Sequence, residues 1–253
     1  MDIQIRIVVS IIKRRGEHLI NMEAVSLNGV KVYPYNSAQQ LLKYIDVHKG
    51  ILVAINADKI LHATDQTRAI INRNIGYCDG VGAMLALRKK GYKDSCKIPG
   101  CELWLKIVDA YHKKKSFYLV GARPEVINET VSKLRQEFKG IRIVGYRDGY
   151  IRTNEERMKL IEDVEKKKPD VIFVAMGSPK QELLMEEMQR RHNAIYQGLG
   201  GSFDVYTGHV KRAPQWWIDH NLEGAYRLFK QPYKIKRYIK ALPFWINLYL
   251  NKY

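Results

Sequence analysis

The sequence is poor in cysteine, in long apolar runs and in acid. Cys78, Cys96 and Cys101 are its only cysteines. They form no Cys-x-x-Cys pair, which argues against a disulfide framework or a cysteine-based zinc site and for reduced thiols. No apolar run approaches the ~18 residues that a membrane-spanning helix needs. The N-terminal apolar stretch Ile7–Ile12 is followed, not preceded, by Lys13, Arg14 and Arg15, the reverse of a secretory leader. The expectation is a chain that stays on the cytoplasmic side. Lys plus Arg number 43 against 26 Asp plus Glu, a net charge of +17. Such an excess favours anionic partners: phosphorylated metabolites, an anionic membrane surface or nucleic acid. With 46% apolar and 27% charged residues, the chain fits neither a disordered protein nor a polytopic membrane protein.

From Ala24 onward short apolar runs alternate with amphipathic stretches. Val25–Val32 reads as a hairpin turning at Asn28–Gly29. Helical spacing follows over Ser37–His48, a buried strand over Gly50–Ile55 and a short helix over Thr67–Asn74. Helices are expected over Val81–Lys90 and Pro99–Lys113. The second half then alternates strand and helix: Ser116–Val120, Pro124–Phe138, Ile141–Tyr146, Asn154–Lys167, Val171–Ala175, Lys180–Arg191 and Ala194–Gly198. This alternation predicts a doubly wound, Rossmann-like α/β fold, with a mainly parallel sheet, helices on both faces and ligands at the carboxyl ends of the strands. The expected organisation is an N-terminal extension over 1–23, an α/β domain over 24–223 and a basic helical C-terminal appendage over 224–253.

The appendage carries Arg227, Lys230, Lys234, Lys236, Arg237, Lys240 and Lys252 and no acid at all. Ile235, Ile239, Leu242 and Ile246 fall on one helical stripe, with Lys236, Arg237 and Lys240 off it. Basic and aromatic residues beside an apolar stripe suit an interfacial helix, each basic residue near an anionic leaflet contributing about 1 kcal/mol. A helix packed on the domain explains the stripe but not the missing acid. No nucleic-acid reader motif accompanies the charge, so nucleic acid is not expected as a partner.

Four strand-end loops bear chemistry. Asn56 offers a donor and an acceptor, or closes an Asx turn. Asp79, before Gly80, is placed to act as a general base or to cap a helix. Gly177, Lys180 and Gln181 surround a Ser178-Pro179 helix start that suits an anion such as a diphosphate, or is simply a well-capped helix. Gly198, Gly200 and Gly201, ahead of Asp204, permit close backbone approach to a phosphate or sugar. The spacing is not the Gly-x-Gly-x-x-Gly of a dinucleotide dehydrogenase. The sequence has no Asp-x-Asp clamp, P-loop or nucleophile elbow. His209, beside Lys211 and Arg212, reads as facing an anion rather than a metal. The pattern suggests a reaction with a phosphate leaving group, its charge met by Lys, Arg and backbone dipoles, and no metal or cofactor.

Val174–Glu182 (VAMGSPKQE), Gly198–Val205 (GLGGSFDV) and Gly208–Pro214 (GHVKRAP) resemble the WecG/TagA/CpsF glycosyltransferases. Ala54–Lys59, Asp79-Gly80, Leu119–Glu125, Arg147–Tyr150 and Arg227–Pro232 fit the same pattern, so the likeness runs from about residue 24 to 242. It implies an inverting transfer of an N-acetylmannosamine-type sugar from UDP to polyprenyl-diphosphate-linked N-acetylglucosamine. Such an enzyme works as a peripheral protein on the inner membrane face, without an essential metal. By position, the resemblance makes Asp79 the base, and Asn56, Gly177, Lys180, Gln181, Gly200, Gly201 and Asp204 the donor site. Lys97, Arg227, Lys234 and Arg237 would meet the diphosphate and acceptor. Two positions depart from the family pattern: Lys97 replaces an Arg, losing bidentate phosphate binding, and Ala54 replaces a Thr. Ala-Ile-Asn-Ala and Ala-Met-Gly-Ser-Pro-Lys-Gln-Glu resemble the uronate-transferring branch of enterobacterial common antigen synthesis, which makes UDP-N-acetylmannosaminuronic acid the expected donor. The alternatives are another hexose in capsule or teichoic acid linkage-unit synthesis, or a non-catalytic sugar-nucleotide or lipid adaptor. A homo-oligomer is compatible with all of them.

Overall fold

The computed structural model describes residues 22–220, 222–230, 239–250 and 252. Val25–Leu27 (β1) and Val30–Val32 (β2) form the expected antiparallel hairpin. Its turn residues Asn28 and Gly29 both have positive φ, the mirror-image turn that Asn-Gly favours. There follow α1 (Ala38–Val47), β3 (Gly50–Ile55), α2 (Ala57–His62), α3 (Asp65–Asn72), β4 (Ile75–Cys78), α4 (Val81–Lys89) and α5 (Gly100–Tyr111). The chain continues with β5 (Ser116–Gly121), α6 (Pro124–Glu137), β6 (Arg142–Arg147), α7 (Asn154–Lys167), β7 (Val171–Ala175), α8 (Lys180–Arg191) and β8 (Ile195–Gly198). Four further helices close the described chain: α9 (Ser202–Tyr206), α10 (Gln215–Asp219), α11 (Glu223–Lys230) and α12 (Leu242–Tyr249).

Strands β3 to β8 form one six-stranded parallel sheet in the order β4-β3-β8-β7-β5-β6. Parallel crossovers are right-handed, so the direction of a connection decides which face its helix covers. Connections towards the β4 edge use α2, α3, α7 and α8, burying Ile60, Ile70, Leu160, Val164, Leu184 and Met188 on one face. The connections from β4 to β5 and from β5 to β6 run the other way. They bury Leu103, Trp104 and Ile107 of α5, and Val126 and Leu134 of α6, on the opposite face. The chain therefore leaves β5 and β7, which are neighbours, in opposite directions, and a crevice opens at their carboxyl ends. Gly121 closes its floor: at φ +127° a Cβ there would lie 2.2 Å from the Ala175 carbonyl oxygen.

The doubly wound architecture is as expected, and one local expectation is corrected. Between β3 and β4 the sequence pattern predicts one helix over Thr67–Asn74. The structure has two, α2 capped by Asn56 and α3 capped by Thr64. Helix α2 spans less than two turns and has one fully buried residue, Ile60, too little for a periodic signal. The appendage adds a detail that the sequence pattern does not contain. The stripe residues Ile239, Leu242 and Ile246 are exposed rather than packed on the domain, and Ile235 lies outside the described residues. Phe244 and Leu248 are buried instead. A Cβ on Gly82 of α4 would come within 2.7 Å of the Phe244 ring, so the bare glycine makes the socket for that ring. Lys89 donates to the Leu248 carbonyl at the end of α12, complementing the helix terminus.

Candidate active site

The loops after β3, β4, β7 and β8 meet at the carboxyl edge of the sheet. The Asp79 N–H donates to the Ile55 carbonyl at 3.0 Å, which extends the β3–β4 pairing and places Asp79 beside Asn56. Asp79 does not cap its own helix. Gly80 is the N-cap of α4, without any side-chain cap bond. Instead one Asp79 carboxylate oxygen accepts from the Gly100 N–H at 2.7 Å, at the positive end of α5. Gly100 has no room for a side chain: a Cβ would lie 2.9 Å from the Tyr77 hydroxyl and 3.4 Å from that Asp79 oxygen.

Beneath Asp79 lies a buried polar layer. Gln197 of β8 is fully buried and donates to the Tyr77 hydroxyl at 3.3 Å and to the Gly100 carbonyl at 3.2 Å. Burial, and secondarily the charge of Asp79, hold the Tyr77 hydroxyl far above its ordinary pKa, so it stays protonated.

Asn56 closes the strand not as an Asx turn but as the N-cap of α2, accepting from the Lys59 N–H at 3.1 Å. That cap uses only the amide oxygen. Its Cβ would be 3.4 Å from one built on Gly80, so Asn56 and Asp79-Gly80 share one wall.

Gly177, Gly200 and Gly201 all face open space where a Cβ would project, as a surface approached by a ligand requires. Gln181 is placed differently from the sequence expectation. It is buried behind the loops, and its carbonyl oxygen accepts from the backbone N–H groups of Gly177 (3.1 Å) and Gly200 (2.9 Å). Lys180 is exposed at the start of α8. Asp204 lies 3.8 Å from Arg123, which follows β5. Lys97 is half-buried in the segment leading to α5. His209, expected to face an anion, does face one within the protein, the Glu129 carboxylate at 2.8 Å. Arg212 reaches Glu102 on α5 at 2.6 Å and Glu223 on α11 at 3.9 Å, bracing the C-terminal segment against the helix that holds Asp79. Arg227 falls on α11 by its backbone, while Lys234 and Arg237 lie outside the described residues.

The sequence reading missed an ion pair. Glu182, 3% exposed, meets the Lys59 ammonium at 2.8 Å. Burial alone would raise this carboxyl, but Lys59 and the Ser178 hydroxyl outweigh it and hold it below the ordinary carboxylate range. A signal was present: Gln181, Glu182, Met185 and Met188 occupy the buried face of α8 at helical spacing, which puts an acid among core positions.

The fold and this edge define an α/β protein with one general-base candidate, glycine-lined loops and an excess of cations. A model of the glycosyl transferase WecG/TagA/CpsF family matches residues 25–253. The chain belongs to that family, and is therefore a glycosyltransferase of cell-envelope polysaccharide synthesis, acting on a sugar donor and an acceptor. Among the described residues no helix is long and apolar enough to cross a membrane.

Proposed function

We propose that the protein transfers N-acetylmannosaminuronic acid, or N-acetylmannosamine, from UDP to a polyprenyl-diphosphate-linked N-acetylglucosamine, with inversion and without a metal. Asp79 takes the proton of the acceptor hydroxyl as that oxygen attacks the anomeric carbon and the bond to the UDP phosphate breaks. The observation that carries this reading is the hold on Asp79: one carboxylate oxygen is fixed by Gly100 at 2.7 Å, which aims the group beside Asn56 and the glycine loops. Asn56, Gly177, Lys180, Gly200, Gly201 and Asp204 line the donor side, with Gln181 supporting them from behind. Lys97, Arg227, Lys234 and Arg237 are assigned to diphosphate and acceptor. The appendage meets the inner leaflet. Its exposed Trp245, Ile246 and Tyr249, beside Lys240 and Lys252, have the amphipathic chemistry of an interface.

UDP release in the presence of EDTA, with a short-chain polyprenyl-diphosphate-N-acetylglucosamine acceptor and each donor in turn, tests the proposal. Acceptor-dependent turnover with one donor, lost in Asp79→Asn while UDP still binds, is the expected result. UDP binding with no turnover for either donor would overturn the assignment of sugar.

A further inference from the structure

Among the described residues, nothing lies where a side chain on the glycines of the loops after β7 and β8 would project. Gly177 (φ +77°) and Gly200 (φ +58°) would meet no atom within 4 Å even with a Cβ. Glycine offers no stiffness of its own, so the positions of these loops must be set from beneath. The first turn of α8 sets them. Gln181 holds Gly177 and Gly200 through one carbonyl oxygen, as described above. The neighbouring Glu182 accepts with Oε1 from the Ser178 hydroxyl at 2.6 Å and from Lys59 Nζ at 2.8 Å. Lys59 Nζ also donates to the Ala54 carbonyl at 3.1 Å, and the Lys59 N–H is the one that Asn56 accepts.

These contacts join parts of the molecule that the sheet does not join. Strand β8 lies between β3 and β7, so no ladder hydrogen bond fixes the end of β3 against the end of β7. The ion pair makes that link across the carboxyl end of β8. Gly198, the last residue of β8, leaves room for the adjoining Gln181, which holds the two glycine loops: a Cβ there would lie 2.4 Å from its amide nitrogen. One end of the link is the Asn56 loop, the other the Ser178 loop, and both stand at the carboxyl edge of the sheet.

We propose that Lys59 and Glu182 form an internal strut that sets the spacing of the loops after β3, β7 and β8, and are positioning residues for the sugar-nucleotide donor. Neither touches the donor. The ammonium is already neutralised, so Lys59 is not one of the cations that meet the diphosphate. This inference rests on the reading that the donor lies against Asn56 and the glycine loops.

The test is steady-state kinetics with the donor as varied substrate, together with UDP titration calorimetry and thermal midpoints. The variants are Lys59→Met, Glu182→Gln, Lys59→Met/Glu182→Met and Lys59→Arg. Val164→Ala on α7, in the core away from this edge, serves as the control for lost stability. Each single variant is expected to lower kcat/KM for the donor at least tenfold, with acceptor KM within twofold. The double variant should lose no more than the worse single one, because an uncompensated buried charge is worse than none. Lys59→Arg should recover part of the loss. Val164→Ala should lower the midpoint but keep donor kcat/KM within twofold. Single variants within twofold of the wild type would overturn the proposal. So would a Val164→Ala variant whose donor kinetics fall with its midpoint as those of the strut variants do. Asn56→Ala separates the two layers of argument. If it too leaves donor kinetics intact, the donor-site reading fails. If it weakens the donor while the strut variants do not, only the strut fails.

Discussion

The carboxyl edge of the sheet and the C-terminal appendage solve opposite problems. At the edge, polar groups are buried and bond to one another, Gln197 with Tyr77 and Gly100, Glu182 with Lys59 and Ser178, although Gln197 Oε1 and Glu182 Oε2 are left without a partner among the described residues. In the appendage, apolar groups stand in solvent, with Phe229 78% and Tyr249 81% exposed. The edge is complete within the domain, since each loop is tied to another. Among the described residues the appendage is anchored by Phe244 in the α4 socket, by the buried Leu248, by Lys89 on the Leu248 carbonyl and, where it leaves the domain, by Arg212 between Glu102 and Glu223. Its remaining apolar face has no partner among the described residues. A site that must keep angstrom-level geometry is braced from within; a surface that must meet something else leaves its contact side bare.

The sharpest way to break this comparison is to damage one region and watch the other. Asp79→Asn is expected to cut turnover about a hundred- to ten-thousand-fold, the range for a general base. Its UDP affinity and binding to anionic vesicles should be unchanged, as read by calorimetry and sedimentation. A loss of vesicle binding would mean that the two regions are not separable.

The next largest effect is on docking. Phe244→Ala removes the main anchor, and large-to-small changes of a buried Phe cost about 3–5 kcal/mol. Because the anchor serves α12 and not the sheet, hydrogen exchange should rise over Leu242–Tyr249 before it rises in β3 or β8. Uniform acceleration would show instead that Phe244 belongs to the global core.

Replacing the bare side of the appendage, Trp245→Glu with Ile246→Glu, should reduce vesicle binding at least tenfold and leave the thermal midpoint within about 2 °C. These side chains are exposed, and surface changes generally fall within about 0.5 kcal/mol. A lowered midpoint would place this face against the domain rather than a membrane.

The strut adds a pH signature. The Glu182 carboxyl is depressed in the folded state, so its contribution to stability is fully present above the unfolded carboxylate value of about 4.3. It is lost as pH falls through the folded value. The stability of Glu182→Gln should therefore depend less on pH than that of the wild type below about pH 4.3, as read from denaturation midpoints. The smallest effect is expected at His209, whose partner Glu129 is half exposed. His209→Ala should change stability by less than about 1 kcal/mol and leave UDP binding unaltered.

Much of this molecule was legible in its sequence. Strand and helix alternation from β5 to β8 and the Asn-Gly hairpin follow from local rules, in which residues near one another in the chain decide the outcome. Asp79 and the glycine loops could be placed at strand ends for the same reason. What stayed hidden was every decision made between distant residues. Whether Asp79 caps α4 or bonds to Gly100 depends on a helix that begins more than twenty residues later. Gln181 turns inward because Gly198 vacates the space its amide needs. The appendage packs through Phe244 rather than the more regular Ile239–Leu242–Ile246 stripe because Gly82, far back in the chain, leaves a hole the size of a ring. Periodicity reports that a face is apolar, but only the tertiary structure supplies the cavity that chooses which apolar face is buried.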